Sequence, residues 1–338
     1  MINVAAFTAG RNIPGARFRI RQYVGALRAH GVNLREFSAP LGAYPPRGKL
    51  IRPFWGFAAV GARLPSIVRS RSFDVALFQR ELLSTFFTIE KLTKKPRVLD
   101  VDDAIWLRRD GSFARGLARI CDSVICGNSF LAEYFSRWNA NVSILPTAVD
   151  THRFFPATAE VRDSPMTIGW SGGHGGFVDL KVAEKALQGI LRLYPQSKLR
   201  VVSDRPPHCL NLPAERVEFV AWSPEAEVQA IQSMTVGIMP LEDTLWNRGK
   251  CAYKMLLYMS CGVPVVVSPV GMNDELLRAA PIGRGARSTE EWLDALGEIL
   301  SRPAEAVAMG RKGRELVVES FSISAIAPLL ASRLSQVV

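Results

Sequence analysis

The sequence predicts an α/β protein with two doubly wound, Rossmann-like domains. Short apolar runs alternate with helical patterns along the chain, and this alternation restarts near the middle at MTIGWSG. The 338 residues also exceed the roughly 250–300 that one core usually holds. Apolar runs that are bounded by turn residues and separated by helices are typical of parallel strands covered on both faces. We therefore expect two such sheets in succession.

The predicted elements follow one another in a regular order. The run INVAAFTA precedes the helical pattern RFRIRQYVGALRAHG, which ends at a glycine. The first half continues with VNLREFS, DVALFQ, RVLDVDD, SVICGN and NVSILP, and the second half with MTIGWSG, SKLRVVSD, VEFVAW, TVGIMPL and GVPVVVS. Proline residues bracket a stretch near residue 155 that has no apolar period. We predict an N-terminal domain over 1–150, a linker over 151–165 and a C-terminal domain over 166–318.

The excess positive charge is confined to the first half. Residues 1–150 hold 22 Lys and Arg against 11 Asp and Glu, whereas residues 151–338 hold 20 of each kind. Such an excess favours an anionic partner, which is a membrane surface, a lipid phosphate or a nucleic acid. Five cysteines, two of them in an apolar stretch without a nearby histidine, indicate buried reduced thiols. No run of 18 apolar residues and no basic leader is present, so we expect a cytoplasmic protein.

The segment 43–73 combines charge with aromatic residues. It holds six cations together with Phe54, Trp55 and Phe57. One interpretation is an amphipathic segment lying on an anionic membrane surface. The other is a helix packed on the first sheet with a solvated basic face, and the sequence leaves both open.

Ligands of doubly wound sheets bind beyond the carboxyl ends of the strands. Beyond the first predicted strand, Gly15 permits an unusual backbone path just before a helix that carries Arg17. Helix N-termini favour anions, so Gly15 and Arg17 are candidate phosphate or acceptor contacts. A solvated helix start is the alternative. The loop is not a GxGxxG fingerprint, which argues against a nicotinamide enzyme.

Three carboxylates follow the run RVL. Asp100, Asp102 and Asp103 at one strand end require a neighbouring cation or a raised pKa. A metal site holding a nucleotide diphosphate, an acid–base or electrostatic role, and helix capping with solvation are the three interpretations.

A glycine-rich loop follows the run TIGW. Ser171 begins it, and Gly172 and Gly173 are the first of four glycines in the next five residues. Backbone N–H groups of such a loop can hold a phosphate, although a flexible turn has the same composition. The loop lacks the GK[ST] ending of a P-loop.

Two cations precede the apolar helical run AYKMLLYMS. Arg248 and Lys250 lie where a positive charge opposes the helix dipole. A bound anion explains them unless Glu242 or Asp243 neutralises them. With the glycine loop they form a candidate diphosphate pocket.

Several segments together resemble the retaining, nucleotide-sugar-dependent glycosyltransferases of the two-domain GT-B fold, in particular family 4 of bacterial polysaccharide synthesis. The segment PTAVDTHRFFP is similar to the interdomain PNGVD…RF.P of that family, and YMSCGVPVVVSPVGMNDEL is similar to EAMACGTPVVAS…GG.PE. SVICGNSFLAEYF is similar to its D.vi..S..l segment, and a subgroup shares DVDDAIW and RGKCAYK. The resemblance extends over almost the whole chain.

The resemblance implies two domains facing a central cleft. The donor, a nucleotide diphosphate sugar, would bind mainly to the second domain, and a glycan or lipid-linked acceptor to the first. The helix over 319–338 would return to the N-terminal domain. Asp102 and Asp103 would be catalytic in the cleft, and Glu275 would contact the donor sugar or cap its helix. The D-x-D metal motif belongs to a different glycosyltransferase fold, so the resemblance implies no cofactor and no divalent metal.

The sequence departs from the family at the donor site. Two glutamates eight positions apart are usual there, and the second binds the donor ribose; their places are taken by Gly249 and Leu257. The usual Arg and Lys after the first strand of the second domain are also missing, and Arg248 and Lys250 would replace their charge.

The predicted function is transfer of a sugar with retention in cell-envelope or exopolysaccharide synthesis, on the inner face of the membrane. A non-catalytic partner that binds a sugar nucleotide is the alternative, because the glutamates are missing. Nucleic-acid binding is not expected, because no recognition motif accompanies the basic half.

Overall fold

The computed structural model describes residues 1–11, 13–42, 44–157 and 166–338, and the chain divides into two compact units. The first unit comprises residues 1–148, 249–251 and 323–338, and the second comprises residues 149–248 and 252–322. Each unit has a six-stranded parallel sheet with helices, which confirms the prediction of two Rossmann-like α/β units.

The sheet of the first unit has the strand order β2-β1-β3-β4-β5-β6. Its strands, all parallel, are β1 Ile2–Thr8, β2 Val32–Ser38, β3 Val75–Gln79, β4 Arg97–Val101, β5 Ser123–Cys126 and β6 Val142–Ile144. Strand order reverses at β1, so the crevice beyond β1 and β3 is the place where a doubly wound sheet binds ligands.

The helices of the first unit include one from the end of the sequence. They are α1 Val24–Ala29, α2 Arg52–Ser70, α3 Ser112–Ile120, α4 Ser129–Phe135 and α13 Ile323–Ser335. The predicted first helix begins as a π-helical turn, Ala16–Ile20, and reaches α1 through a 3-10 turn, Arg21–Tyr23. The apolar face of α13, with Ile326 and Leu330, is buried in one core with Tyr23 and Leu27.

The sheet of the second unit has the strand order β12-β11-β10-β7-β8-β9. Its strands, also parallel, are β7 Thr167–Ser171, β8 Lys198–Ser203, β9 Val217–Ala221, β10 Val236–Met239, β11 Val265–Val267 and β12 Gly283–Gly285. Strand order reverses at β7, which places the glycine-rich loop at the reversal point of this sheet.

The helices of the second unit surround a separate core that contains Trp170 and Trp292. They are α5 Phe177–Leu180, α6 Glu184–Leu193, α7 Pro224–Gln232, α8 Leu245–Arg248, α9 Tyr253–Ser260, α10 Met272–Ala279, α11 Thr289–Ser301 and α12 Pro303–Ser320. Local signals fix several starts: Ser223 caps α7, and Ser288 with Glu291 forms a capping box on α11.

The predicted linker 151–165 is only partly a linker. Residues 151–157 belong to the second unit, where Arg314 of α12 donates to the carbonyl oxygens of Thr151 (3.0 Å) and Phe154 (2.7 Å). The hydroxyl of Ser260 also donates to Phe154 O at 2.8 Å. These bonds satisfy a loop backbone that has no apolar period, which is why the sequence did not reveal its packing. The remaining residues, 158–165, lie outside the described part of the chain.

Candidate functional site

The first of the three carboxylates is not available to a ligand. Asp100 is buried on β4 and receives two hydrogen bonds from Arg19, from Nε at 2.9 Å and from Nη2 at 2.5 Å. Arg19 is also buried, and its Nη1 donates to Leu145 O at 2.9 Å and to Thr147 Oγ1 at 3.3 Å. This is the neighbouring cation that the sequence required for Asp100.

Asp103 is held in an unusual electrostatic environment. Its carboxylate lies 3.3 Å from Arg80 Nη1, and its side chain is 31 % exposed. Partial burial and the adjacent Asp102 carboxylate raise the pKa of Asp103 to about 7, against the opposing charges of Arg80, Lys250 and Arg108. A carboxyl group with a pKa near neutrality can exchange a proton at physiological pH.

The loop beyond β1 approaches Asp102 closely. A Cβ atom on Gly15 would lie 2.8 Å from Gln79 Nε2 and 3.3 Å from Asp102 Oδ2, so only glycine fits without displacing them. Gln79 Nε2 itself lies 3.4 Å from Asp102 Oδ1. The structure thus brings Gly15 and Asp102, two residues predicted from separate motifs, to the reversal point of the first sheet.

The alternating arginines after β1 have different partners, as their spacing on a helix requires. Arg19 points inward to Asp100, and Arg21 pairs with Glu36 at 2.5 Å. The guanidinium of Arg17 lies 4.3 Å from the Phe18 ring centroid. Arg17 lies two residues after Gly15 on the π-helical turn Ala16–Ile20, and its contact with an anion stays a prediction.

Residues 249–251 belong to the first unit, which the sequence did not predict. Asn128 at the start of α4 donates to Gly249 O and to Lys250 O, each at 3.1 Å. The Cys251 thiol donates to Asp102 O at 3.3 Å. These bonds fix Lys250 near Asp103. The positive charge of Lys250 opposes the rise in the pKa of Asp103. Lys250 is therefore close to the carboxylate pair in its own unit.

Ser171 is an anchor inside the second unit. Its side chain is buried, and its hydroxyl donates to Glu227 Oε1 of α7 at 3.2 Å. Its N–H donates to the hydroxyl of Tyr258 on α9 at 2.8 Å. Both polar groups fix the end of β7, so Ser171 positions the glycines that follow it.

A cation missed by the sequence interpretation lies against the glycine-rich loop. A Cβ on Gly172 would lie 2.5 Å from Lys254 Cε, and one on Gly176 would lie 3.6 Å from Lys254 Nζ. Lys254 Nζ is 4.9 Å from the ring centroid of the buried Trp170. The signal was present in the sequence, because Lys254 is the one charged residue of the apolar helix α9.

The other end of the loop is bonded to Asp204, the residue that follows β8. The backbone N–H of His174 donates to Asp204 Oδ1 at 2.7 Å, and His174 Nδ1 lies 2.6 Å from Asp204 Oδ2. Gly173 precedes this bond in an extended conformation. The loop is therefore fixed at both ends, at Ser171 and at His174, with Gly172 and Gly173 between them.

Arg248 and Glu275 belong to α8 and α10 of the second unit. Arg248 ends α8 and makes two bonds to Asp243, at 2.6 and 3.0 Å, which is the neutralisation by a neighbouring acid that the sequence left open. Glu275 is exposed in the first turn of α10, where a negative charge favours the helix dipole. Leu257, in place of the family glutamate, is buried in α9.

The two units together have the architecture of GT-B-type proteins, a class built from two Rossmann-like domains. Residues 175–302 match the family described as glycosyl transferases group 1. A comparison with curated proteins gave no match.

Several solved structures have a similar fold over nearly their whole length. Sucrose-phosphate synthase from Thermosynechococcus elongatus is 17 % identical, with a TM-score of 0.75 and 99 % of each chain covered. HepE from Anabaena, in complex with UDP and glucose, is 13 % identical with a TM-score of 0.74, covering 99 % of this chain and 100 % of that one. WaaG, a glycosyltransferase involved in lipopolysaccharide biosynthesis, is 12 % identical with a TM-score of 0.69, covering 98 % and 99 %.

None of the described helices combines the length with the apolar character that a bilayer span requires. Helix α2 occupies residues 52–70 of the segment 43–73, and residue 43 lies outside the described part of the chain.

Proposed function

We propose that this protein is a glycosyltransferase that uses a nucleotide diphosphate sugar as donor. The observation that carries the proposal is Lys254 against Gly172, in a loop at the reversal point of the sheet whose unit matches the glycosyltransferase group 1 family. The ammonium group of Lys254 beside this glycine backbone suits a diphosphate leaving group, because a fixed cation offsets the charge that develops on the diphosphate. A UDP-sugar is the first donor to test, because HepE of Anabaena binds UDP and UDP-glucose.

In the proposed reaction, an oxygen of the acceptor forms a bond to the anomeric carbon of the donor sugar. The bond from that carbon to the diphosphate breaks, and the nucleoside diphosphate leaves. Asp103 takes the acceptor proton, since a base with a pKa near 7 suits the working pH. Asp102 stabilises positive charge that develops on the sugar. Retention of anomeric configuration belongs to this proposal and is tested by proton NMR of the first-formed product.

The test is isothermal titration calorimetry of the full chain with UDP, GDP, UDP-glucose and GDP-mannose. We expect Lys254→Met to weaken binding of the preferred nucleotide. The pocket inferred from sequence makes a competing prediction: the double variant Arg248→Ala with Lys250→Ala abolishes binding. If that double variant alone loses the nucleotide, Lys254 is not the diphosphate cation. If no nucleotide binds to the unaltered protein, the proposed function fails.

We propose that the reaction needs no divalent metal. The geometry in support is the buried Arg19–Asp100 pair, because it removes one of the two carboxylates of the D-x-D pattern from any shared ion. Turnover unchanged by EDTA after prior dialysis is the expected result. Recovery of activity only on adding Mg²⁺ or Mn²⁺ would contradict it.

A non-catalytic partner that binds a sugar nucleotide is the second candidate. The observation in its favour is Leu257, which is buried and has no group to bond a ribose. Release of nucleoside diphosphate in the presence of acceptor separates the two functions, because a binding partner gives none.

We also propose attachment to the inner face of an anionic membrane through α2, whose Phe54 and Phe57 are 77 % and 81 % exposed. Flotation with anionic and neutral vesicles tests this attachment. A glycan acceptor and a lipid-linked acceptor are both compatible with the donor site.

A further inference from the structure

Helix α2 exposes apolar residues and buries a charged one. Only the stripe Ala59, Arg63, Ile67 and Ser70 is buried, although the same helix carries exposed aromatic residues near its start. A helix that serves only its own core shows the opposite distribution. The aromatic residues of α2 are therefore available to a ligand.

A cavity of about 780 Å³ lies beside this exposed face, within the first unit. Its apolar lining comes from α2 and from the segment 83–89, and includes Trp55, Phe57, Val60, Leu83, Phe86 and Ile89. Volumes of roughly 300–1,000 Å³ are typical of small-molecule sites, and an apolar lining suits an apolar chain.

Polar anchors hold the α2 wall of this cavity in place. The buried guanidinium of Arg63 donates to Thr8 O at 2.7 Å and Phe37 O at 2.9 Å, at the ends of β1 and β2. It also reaches Leu82 O on the opposite wall at 3.4 Å. One side chain thus connects both walls to the sheet.

The opposite wall is organised by two buried carboxylates. Glu90 accepts from Leu82 N at 3.1 Å and Thr88 N at 2.6 Å, and Glu81 accepts from Thr85 N at 2.9 Å. Thr85 has a φ of 62°, a conformation that costs energy in a residue with a branched side chain. The cavity is therefore built into the fold rather than left between loosely packed elements.

The charged residues around the cavity have one sign. Lys49, Arg52 and Arg109 line it, and none of its described lining residues is acidic. The Arg109 guanidinium lies 3.8 Å from the Phe86 ring centroid, so it borders the apolar lining directly. An occupant with an apolar chain and an anionic head satisfies both properties.

The cavity is connected to the carboxylate pair by a short stretch of chain. Arg80 contacts Asp103 at 3.3 Å, and Leu83, three residues further on, lines the cavity. Three residues span at most about 10 Å. A ligand anchored in the cavity is thus close enough to present an attached group to Asp102 and Asp103.

We infer that this cavity binds the apolar chain of a phosphate-bearing lipid, which is the glycosyl acceptor or carries it. The phosphate is held by Lys49, Arg52 and Arg109, and the chain lies along Trp55 and Leu83. This inference rests on the proposed glycosyl transfer for the role of the lipid, but not for its binding. It selects a lipid-linked acceptor over a free glycan.

Calorimetric titration of the full chain with farnesyl phosphate, a soluble isoprenoid phosphate, tests the inference. Farnesol and inorganic phosphate are the comparison ligands. We expect farnesyl phosphate to bind, farnesol to bind at least about tenfold more weakly because it lacks the charge-assisted contacts, and inorganic phosphate to give no measurable heat. Equal affinity for farnesol and farnesyl phosphate would overturn the assigned head group.

Two matched variants of α2 localise the binding. Gly56 lines the cavity and Gly61 does not, and a Cβ added at either meets no atom within 4 Å. Gly56→Leu should weaken farnesyl phosphate binding about thirtyfold, because it displaces two or three methylenes that each contribute about fourfold. Gly61→Leu should leave binding unchanged. Both replacements remove a glycine from a helix, so neither is expected to impair folding.

The outcomes distinguish this inference from the proposed function. Equal binding by Gly56→Leu, or no binding of farnesyl phosphate by a protein that binds a nucleotide sugar, removes the lipid site and leaves the glycosyltransferase. Binding of farnesyl phosphate without binding of any nucleotide sugar removes the glycosyltransferase and the acceptor role together.

Discussion

The two sheets have the same kind of strand-order reversal, but the residues beyond the two reversal points differ in kind. In the first unit they are charged side chains with assigned partners, such as Arg19 with Asp100 and Arg80 with Asp103. In the second unit they are glycine backbone with Lys254 packed against it and an exposed His174–Asp204 pair. Equal topology therefore fixes where a site lies and leaves its chemistry to the loops. The first arrangement suits proton transfer, whereas the second suits binding of an anion.

The largest effect expected from this contrast is on stability. Asp100→Asn leaves the Arg19 charge buried without its counter-ion, which should lower the free energy of unfolding by about 3–5 kcal/mol. Urea unfolding measures this loss. The control is Asp243→Asn, which breaks an exposed pair with Arg248 and should barely move the unfolding midpoint. Similar losses of unfolding free energy in both variants would mean that the buried Arg19–Asp100 pair contributes no more to stability than the exposed Arg248–Asp243 pair.

The next effect concerns Lys254, the cation that lies against the glycine-rich loop of the second unit. Lys254→Met keeps a long apolar stem over Trp170 but removes the charge, and should weaken nucleotide binding by about ten- to a hundredfold. Calorimetry with the preferred nucleoside diphosphate measures it. Lys312→Met, on an exposed pair with Glu315, is the matched control and should bind normally. Loss of affinity in both would indicate a general charge effect rather than a site.

A smaller effect tests whether the glycines act through their lack of a side chain. Gly172→Ala places a Cβ 2.5 Å from Lys254 Cε, so the lysine must move, and nucleotide affinity should fall roughly tenfold. Gly175→Ala is the control, because its Cβ meets no atom within 4 Å. Titration of the two variants side by side is sufficient. An equal fall would show that loop flexibility matters instead of space.

The last effect is the pH dependence set by Asp103. The pKa of Asp103 is raised to about 7 in the folded chain, against about 4 when unfolded. The folded protein then binds the extra proton between these values, so this group's contribution to stability falls as pH rises from about 4 to about 7. Asp103→Asn should remove that fall, as urea unfolding at pH 5 and pH 8 would show.

The same variant tests the proposed base. Under the proposed function, activity of the unaltered protein should rise with pH through about 7, because Asp103 must be ionised to accept a proton. In Asp103→Asn that rise should be absent from kcat/KM. If kcat/KM of Asp103→Asn still rises with pH through about 7, that rise belongs to another ionisable group.

The sequence was sufficient for the fold and for the position of the glycine-rich loop, for a physical reason. Strand runs and their flanking glycines are local signals, so the two sheets and the glycine-rich loop could be read directly. The need of Asp100 for a cation could also be predicted, because three carboxylates at one strand end repel one another unless a cation lies nearby or a pKa is raised.

Other features depend on contacts between distant parts of the chain. Nothing local shows that residues 249–251 bond to Asn128, or that Lys254 lies against Gly172. The pairing of Arg248 with Asp243 was an open alternative, and only coordinates could decide it. The roles of Asp102, Glu275 and Arg17 stay predictions.

The first unit is discontinuous in sequence, and this has a consequence for its biosynthesis. A ribosome that has completed residues 1–150 has produced all six strands of the first sheet but neither residues 249–251 nor α13. Until then, the apolar groove that takes Ile326 and Leu330 stays open, and the Asn128 amide lacks two of its bonds. Translation of the remaining residues takes about 10–40 s. During that interval the nascent first unit is a natural client for a chaperone that recognises exposed apolar surface.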